Sequence, residues 1–358
     1  MRQVYEQLID AINNVSGVIK FSKTKEIFPM LELMFTLEQA EIGSKMTPGL
    51  HTVEQVAEMA GKKAEDVSRI LESMADNGTV YSTGAGENPL YTLLPLLPGS
   101  WEIQLMKGAN DEKSKKLAHL FENYFKAVGD TPGRGMSTTS VPFSRVIPIF
   151  EELKPDTEIL PYEVLTNYID KVDSISVSHC YCRHEGELLG NPCKKPKENC
   201  FNFGPFAKFL AERGFGRLVD REEAKKIMKE AEEAGLVHCA SNTSEIISFV
   251  CNCCSCHCGI MRSMQNPAAV AMTAVSDFIV SLDKEACTAC ETCVDRCQVK
   301  AITMGDGIAE IDYSLCIGCG LCVSTCPTEA LSLVTREKKV IPPKDYMELS
   351  QAQAAAFK

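Results

Sequence analysis

Eight cysteines near the C-terminus follow one spacing twice: Cys287-x2-Cys290-x2-Cys293-x3-Cys297, then Cys316-x2-Cys319-x2-Cys322-x3-Cys326-Pro327. A two-residue gap wraps the backbone tightly enough for three thiolates to converge on one small volume. Four converging thiolates suit an iron–sulfur cubane. Lys300-Ala301-Ile302 and Glu329-Ala330-Leu331 follow the two runs at matching places, so the segment is an internal repeat. CxxC pairs also suit zinc, but eight cysteines in doubled form point away from it.

These motifs resemble the bacterial two-cluster ferredoxin family across roughly residues 277–336. The resemblance implies two [4Fe–4S] clusters and one-electron transfer. In such domains the fourth cysteine of each run serves the other cluster. That gives Cys287, Cys290, Cys293 and Cys326 to one cluster, and Cys316, Cys319, Cys322 and Cys297 to the second. The family usually has proline after the fourth cysteine. Gln298 stands there after the first run, a departure that concerns turn geometry rather than ligation. With every corner filled by a thiolate, the expectation is an electron carrier and not a substrate-binding cluster. The acidic neighbours Asp283, Glu285, Glu291, Asp295, Asp306, Glu310 and Asp312 favour a low potential.

Ten further cysteines fall between Cys180 and Cys258, and none precedes Cys180. Disulfide scaffolds are mostly short secreted chains. This 358-residue chain starts without the apolar run of a signal peptide. Its most apolar stretch, Pro267 to Leu282, is interrupted by Asp277 and is too short to span a membrane. A reduced, cytoplasmic setting with metal-bound thiolates is therefore expected.

Two expected strands, one ending at Cys180 and one over Ile246–Val250 running into Cys251, each lead into a C-x-C pair. On a strand, such a pair faces one side. Cys180, Cys182, Cys193, Cys200, Cys251, Cys253, Cys254, Cys256 and Cys258 are candidate ligands for one or two additional [4Fe–4S] clusters, with zinc or free thiols as the alternatives. The Cys-dense run, with Glu222-Glu223-Ala224 and Ala234-Gly235-Leu236-Val237-His238, resembles a cysteine-rich module found beside ferredoxin domains in anaerobe redox proteins. Cys253-Cys254-Ser255-Cys256-His257 matches the haem-attachment pattern C-x-x-C-H, but no export signal accompanies it. His179, His184 and His257 flank cysteines and are open to ligating or hydrogen-bonding a cluster, with hydrogen-bonding neighbours or surface residues the favoured reading for each.

The N-terminal part has no cysteine. Apolar spacing predicts a helix over 29–47, then helices over 52–61, opened by a Thr52/Gln55 capping box, and 64–77. Strands 79–82 and 91–94 flank a turn around Gly84–Asn88. That order resembles a winged helix. Between Thr52 and Leu94, however, three basic residues face seven acidic ones, and the whole chain carries −11. DNA contact needs phosphate-neutralising cations, so protein docking is expected instead.

Helices over 101–127, 158–172 and Asp220–Ala234, and a loop over 130–143, complete the reading. Gly84-x-Gly86 and Gly214-x-Gly216 lack the third glycine of a dinucleotide site, and no P-loop occurs.

The expected class is α+β: a helical and winged-helix-like domain (1–98), a helical linker region (99–173), a cysteine-rich metal-binding module (174–275), a two-cluster ferredoxin domain (276–340) and a tail (341–358). The expected role is an electron-transfer protein or subunit serving a partner oxidoreductase in anaerobic metabolism. No catalytic residue is assigned. A redox-sensing winged-helix regulator, or an enzyme with an open-coordinated central cluster, stand as alternatives.

Overall fold

The computed structural model describes residues 2–16, 19–83, 88–129, 137–138, 141–149, 164–264 and 273–356. Most of the hairpin turn expected around 84–88, most of the expected loop at 130–143 and the start of the helix expected at 158–172 lie outside these residues.

The N-terminal core begins with α1 (Arg2–Val15) and the short strand β1 (Ile19–Lys20). Next come α2 (Ile27–Met34) and α3 (Leu37–Gly43), which replace the single helix expected over 29–47. The break has a local cause. Thr36 Oγ1 accepts from the Gln39 N–H at 3.2 Å, and Gln39 Oε1 accepts from the Thr36 N–H at 2.9 Å. This capping box starts a new helix and leaves Phe35 extended. The same device opens α4 (Val53–Ala60) at Thr52 and Gln55, and Gly61 closes it in the left-handed region.

α5 (Ala64–Asp76) buries Val67, Ile70, Leu71 and Met74, the face its spacing predicts. β2 (Val80–Ser82) and β3 (Tyr91–Leu93) pair antiparallel. α6 (Trp101–Met106) and α7 (Glu112–Gly129) are separated at Gly108, which has φ +66°. Asp111 then caps α7 through Ser114. Trp101, Phe121 and Tyr124 from this pair complete the N-terminal core.

A seven-stranded sheet forms the centre. Short β4 (Ser137–Thr138) pairs with β1 outside it. The sheet takes in β5 (Ser144–Val146), β6 (Ile175–His179), β7 (Glu198–Phe203), β8 (Arg217–Val219), β9 (Val237–Ser241), β10 (Phe249–Cys253) and β11 (Thr273–Ala274). Its order is β11-β5-β9-β10-β7-β6-β8, antiparallel except between β11 and β5. α8 (Leu165–Ile169), α9 (Tyr181–Leu188), α10 (Gly204–Glu212), α11 (Arg221–Glu233) and α12 (Gly259–Met264) surround it. As expected, Asp220 caps α11 by accepting from the Glu223 N–H at 2.8 Å.

Strand alternation divides the sheet's residues. Val177, Phe201, Ala240 and Val250 pack with Ala224 and Met228 of α11. Cys200, Cys239, Cys251 and Cys253 alternate with them and point to the other face.

The C-terminal part is built from two antiparallel pairs, β12 (Phe278–Leu282) with β15 (Leu331–Thr335) and β13 (Ile302–Met304) with β14 (Ala309–Ile311), together with the single turn α13 (Thr292–Arg296). α14 (Tyr346–Ala356) folds back: Ser244 and Glu245 donate to the carbonyls of Pro343 and Lys344.

Candidate metal centres

The two C-terminal cysteine loops share one backbone shape. Ala289 and Gly318 follow the first cysteine of each run by two residues, with φ +57° and +68°. Glu291 and Gly320 follow the second cysteine directly, at +62° and +82°. Lys300 and Glu329 follow the fourth by three, at +57° and +52°. Non-glycine residues rarely adopt this region. Four of them here, at repeat-equivalent places, show that the loops are bent to aim the sulfurs inward.

A small cavity is ringed by Cys287, Cys290, Cys293 and Cys326 and floored by Leu282, Met304, Ala309, Ala330 and Leu331. Burial raises the Cys293 thiol, and the neighbouring Cys290, Cys287 and Cys326 raise it further. Burial likewise raises Cys322, followed by Cys319, Cys316, Cys297 and Cys293. Cys326 of the second run is thus among the neighbours of Cys293, and both Cys297 and Cys293 of the first run are among those of Cys322. Thiols that hold one another protonated need a multivalent cation if all are to ionise, so the donor chemistry fits [4Fe–4S] clusters.

The ten central cysteines separate into two groups. Register creates the first. Cys251 on β10 stands opposite Cys200 on β7 and opposite Cys239 on β9, which sets three cysteines in a row across the sheet. Cys200 Sγ and Cys251 Sγ are 3.9 Å apart. Cys253 lies two residues along on the same face. Cys258 interacts with Cys253 and with Cys182, which in turn interacts with Cys180. Cys180 and Cys200 are pushed well above the ordinary thiol value, first by hydrogen bonding with Cys182 and Cys251 respectively and then by burial.

One expected detail fails. Cys180 and Cys182 do not share a strand face, because Cys180 is the N-cap of α9 and Cys182 lies within the helix. A helix start and a strand carry the two C-x-C pairs, where two strands were expected. The second expected strand begins at Phe249, three residues late, and runs through Cys251 to Cys253.

The second group is Cys193, Cys254, Cys256 and His257, whose donor atoms all lie within 4.8 Å of one another. His179 and His184 sit elsewhere. Their rings are 6.3 Å apart, and His184 Nε2 bonds the Ala109 carbonyl at 3.0 Å.

A cavity of about 1500 Å³ lies between the cysteine face and the N-terminal core. Cys180, Cys182, Cys200, Cys251 and Cys258 form part of its wall, with Glu102, Ile103 and Met106 of α6 and Glu185 of α9. Burial lifts the Glu102 carboxyl to about 8, although the Gly99 N–H donates to it at 2.7 Å. Burial lifts Glu185 to about 7.

The first central group meets the C-terminal repeat directly. One apolar cluster joins Val146, Ile149, Val237, Cys239, Cys253 and Cys258 to Val299, Ala301, Ile317 and Leu321, with Cys182, Cys251, Cys297, Cys316 and Cys319 packed against it. Cys239 lies near enough to Cys319 for the two to interact electrostatically. The Ile149 N–H donates to the Cys319 carbonyl at 3.2 Å.

Residues 280–303 and 309–332 match the family model of the 4Fe-4S binding domain, once for each half of the repeat. Residues 280–332 are a ferredoxin-like iron–sulfur domain. No curated protein and no solved structure matches the chain. Among the described residues no helix is long and apolar enough to cross a membrane.

Sequence reasoning passed over two residues that belong to this arrangement. Cys239 is isolated in the sequence, and only sheet register brings it beside Cys251. Gln298, read as a change in turn geometry, places its Oε1 3.1 Å from both the N–H and the Oγ of Ser255, so it ties the ferredoxin-like domain to the loop between Cys254 and Cys256. The departure from proline was the available signal.

Proposed function

We propose that this chain relays single electrons between a central iron–sulfur site and a two-cluster ferredoxin domain, and from there to or from a partner oxidoreductase. The observation that carries this reading is the shared apolar cluster, which packs Cys297, Cys316 and Cys319 against Cys182, Cys239, Cys251, Cys253 and Cys258. Cys287, Cys290, Cys293 and Cys326 would hold one cluster, and Cys316, Cys319, Cys322 and Cys297 the next. A third [4Fe–4S] cluster would draw its ligands from Cys180, Cys182, Cys200, Cys251, Cys253 and Cys258, with Cys239 beside them. Bound clusters supply one-electron chemistry.

The polypeptide would fix their separation. Arg296 donates to the carbonyls of Glu232 and Glu233, at 2.5 and 2.9 Å for its two amino groups. Arg336 donates to the Cys316 carbonyl at 2.6 Å. Val299, Ile317 and Leu321 fill the interval between the cysteine groups.

The winged-helix-like part serves docking in this reading, not DNA. Arg213 pairs with Glu72 at 3.0 Å and Asp76 at 2.6 Å on α5. Tyr81 of β2 packs edge-on against Phe209, with ring centres 5.2 Å apart. Helix and hairpin thus engage the chain's own central module, and the remaining exposed residues include Glu65 and Asp66. Duplex DNA added at low salt is expected to give no shift in a gel.

A second reading rests on the large cavity. A carboxyl held protonated near neutrality beside a cysteine-lined wall suits proton-coupled reduction of a bound substrate, and the relay would then feed that site. Redox titration followed by EPR tests the relay. Reduced full-length protein is expected to show three interacting paramagnets. Two isolated ferredoxin-type signals, with no third species, would remove the central relay.

A further inference from the structure

The second central group differs in kind from the iron–sulfur sites. In a cubane each thiolate binds a different iron, so the sulfurs stand well apart. Neither ferredoxin set brings three of its sulfurs within 4.8 Å of one another; among the described residues, Cys193, Cys254, Cys256 and His257 alone form such a group. Cys193 Sγ is 3.5 Å from Cys256 Sγ, and Cys256 Sγ is 3.1 Å from Cys254 Sγ. A tetrahedral zinc with Zn–S of about 2.3 Å sets its sulfurs about 3.8 Å apart. The spacing is that of ligands around one ion.

The histidine is prepared as the fourth ligand. His257 Nε2 lies 2.8 Å from the Asn191 carbonyl oxygen. A carbonyl only accepts, so Nε2 carries the proton and the Nδ1 lone pair is free. Nδ1 is buried and has no hydrogen-bond partner. A backbone carbonyl that fixes the tautomer of a ligating imidazole is a recurrent feature of zinc sites. Room for the ring is also specified. Gly186 sits inside α9, where glycine costs about 1 kcal/mol against alanine, and a Cβ there would overlap Cδ2 and Nε2 of His257.

Charge agrees as well. Three thiolates around a divalent ion leave one net negative charge. Arg183 is fully buried, and its Nη1 lies 3.9 Å from Cys254 Sγ. Its other hydrogen-bond partners are the uncharged Asn252 carbonyl at 2.9 Å and Asn199 side-chain oxygen; Cys180 and Cys253 of the neighbouring cysteine group also bear on its charge.

We propose that Cys193, Cys254, Cys256 and His257 form a closed, mononuclear Cys3His site for zinc. Four protein ligands leave no position for substrate, so the role is structural. The ion would clamp the Asn191–Cys193 loop to the turn that carries Cys258 into the neighbouring cysteine group. Gln298, bonded to Ser255 between two of the ligands, would connect the clamp to the ferredoxin-like domain. The site does not depend on the relay, and zinc and iron are counted separately.

The test is metal analysis of the full chain, purified anaerobically from cells supplied with zinc, together with zinc-edge X-ray absorption. The expected result is about one zinc per chain, with three sulfurs at about 2.3 Å and one nitrogen at about 2.0–2.1 Å. Cys256→Ser removes the most exposed ligand. It is expected to lose the zinc while keeping the wild-type iron content and visible spectrum, which also report that the chain has folded. Gly186→Ala, which changes no ligand, is expected to weaken zinc retention about 10–100-fold under chelator challenge. Wild-type protein without zinc would overturn the assignment. So would full zinc retention in Cys256→Ser, or a loss of about four irons there, which would make the group a cluster site.

Discussion

The C-terminal repeat and the central module carry eight and ten cysteines and place them by opposite means. In the repeat, each set of three comes from one short loop, and left-handed residues at matching places bend it: Ala289 and Gly318, Glu291 and Gly320. In the central module, neighbours in space come from β7, β9, β10, the start of α9 and the turn before α12. Cys200, Cys251 and Cys239 stand side by side only because three strands are in register. Ligand geometry written into local turns can be read from spacing. Cysteine placement written into strand register cannot, because register depends on the whole sheet.

The comparison breaks most visibly at Cys319, which belongs to the repeat but borders the central group. Cys319→Ala is expected to cost about four irons per chain and to remove any spin interaction between central and ferredoxin signals, while Cys290→Ala removes four irons and spares that interaction. Equal effects on the interaction would contradict the placement of Cys319 at the junction.

The two loops also invite a matched pair of substitutions. A Cβ on Gly318 would run into the Phe278 carbonyl oxygen, and its φ is +68°. Gly318→Ala is expected to destabilise by about 2–4 kcal/mol in thermal or denaturant unfolding. Ala289→Gly at the equivalent place is expected to change stability by about 1 kcal/mol or less. Similar costs at both positions would show that the repeat's symmetry extends to its surroundings, which the structure denies.

Gln298→Pro restores the residue usual in the ferredoxin family and cuts the bonds to Ser255. Iron content is expected to stay at the wild-type value. The tie between domains should weaken by about 1–2 kcal/mol, seen as faster amide exchange in residues 254–258. Unchanged exchange would return Gln298 to the role of a turn residue.

The smallest effect concerns pH. Glu102 has its folded value raised from 4.5 to about 8. The folded state therefore binds more protons than the unfolded one between those values, and stability declines as pH rises through that window. The expected change at neutral pH is about 1 kcal/mol after allowance for the open cavity beside the group. Glu102→Gln should flatten the melting-temperature profile between pH 5 and about 8. A profile as steep as the wild type's would assign the slope to another group.

The sequence was most legible where chemistry is local. The doubled cysteine spacing, the Thr52–Gln55 cap, the Asp220 cap and the buried face of α5 all appear where their residues place them. The break at Phe35 was equally available, since Thr36 and Gln39 repeat the Thr52 and Gln55 signal, but the continuous apolar spacing across it concealed it. Cys180 and Cys182 misled because a C-x-C after a strand looks the same whether the strand continues or a helix begins. Cys239 and the pairing of Cys193 with Cys256 were out of reach. Each depends on contacts between segments tens of residues apart, for which no local pattern exists.

Iron, acid-labile sulfide and zinc per full-length chain, measured together on anaerobically purified protein, test the relay most directly. Three [4Fe–4S] clusters and one clamp ion give about 12 iron, about 12 sulfide and about one zinc. About 8 iron would confine the clusters to the ferredoxin-like domain and contradict a central redox site.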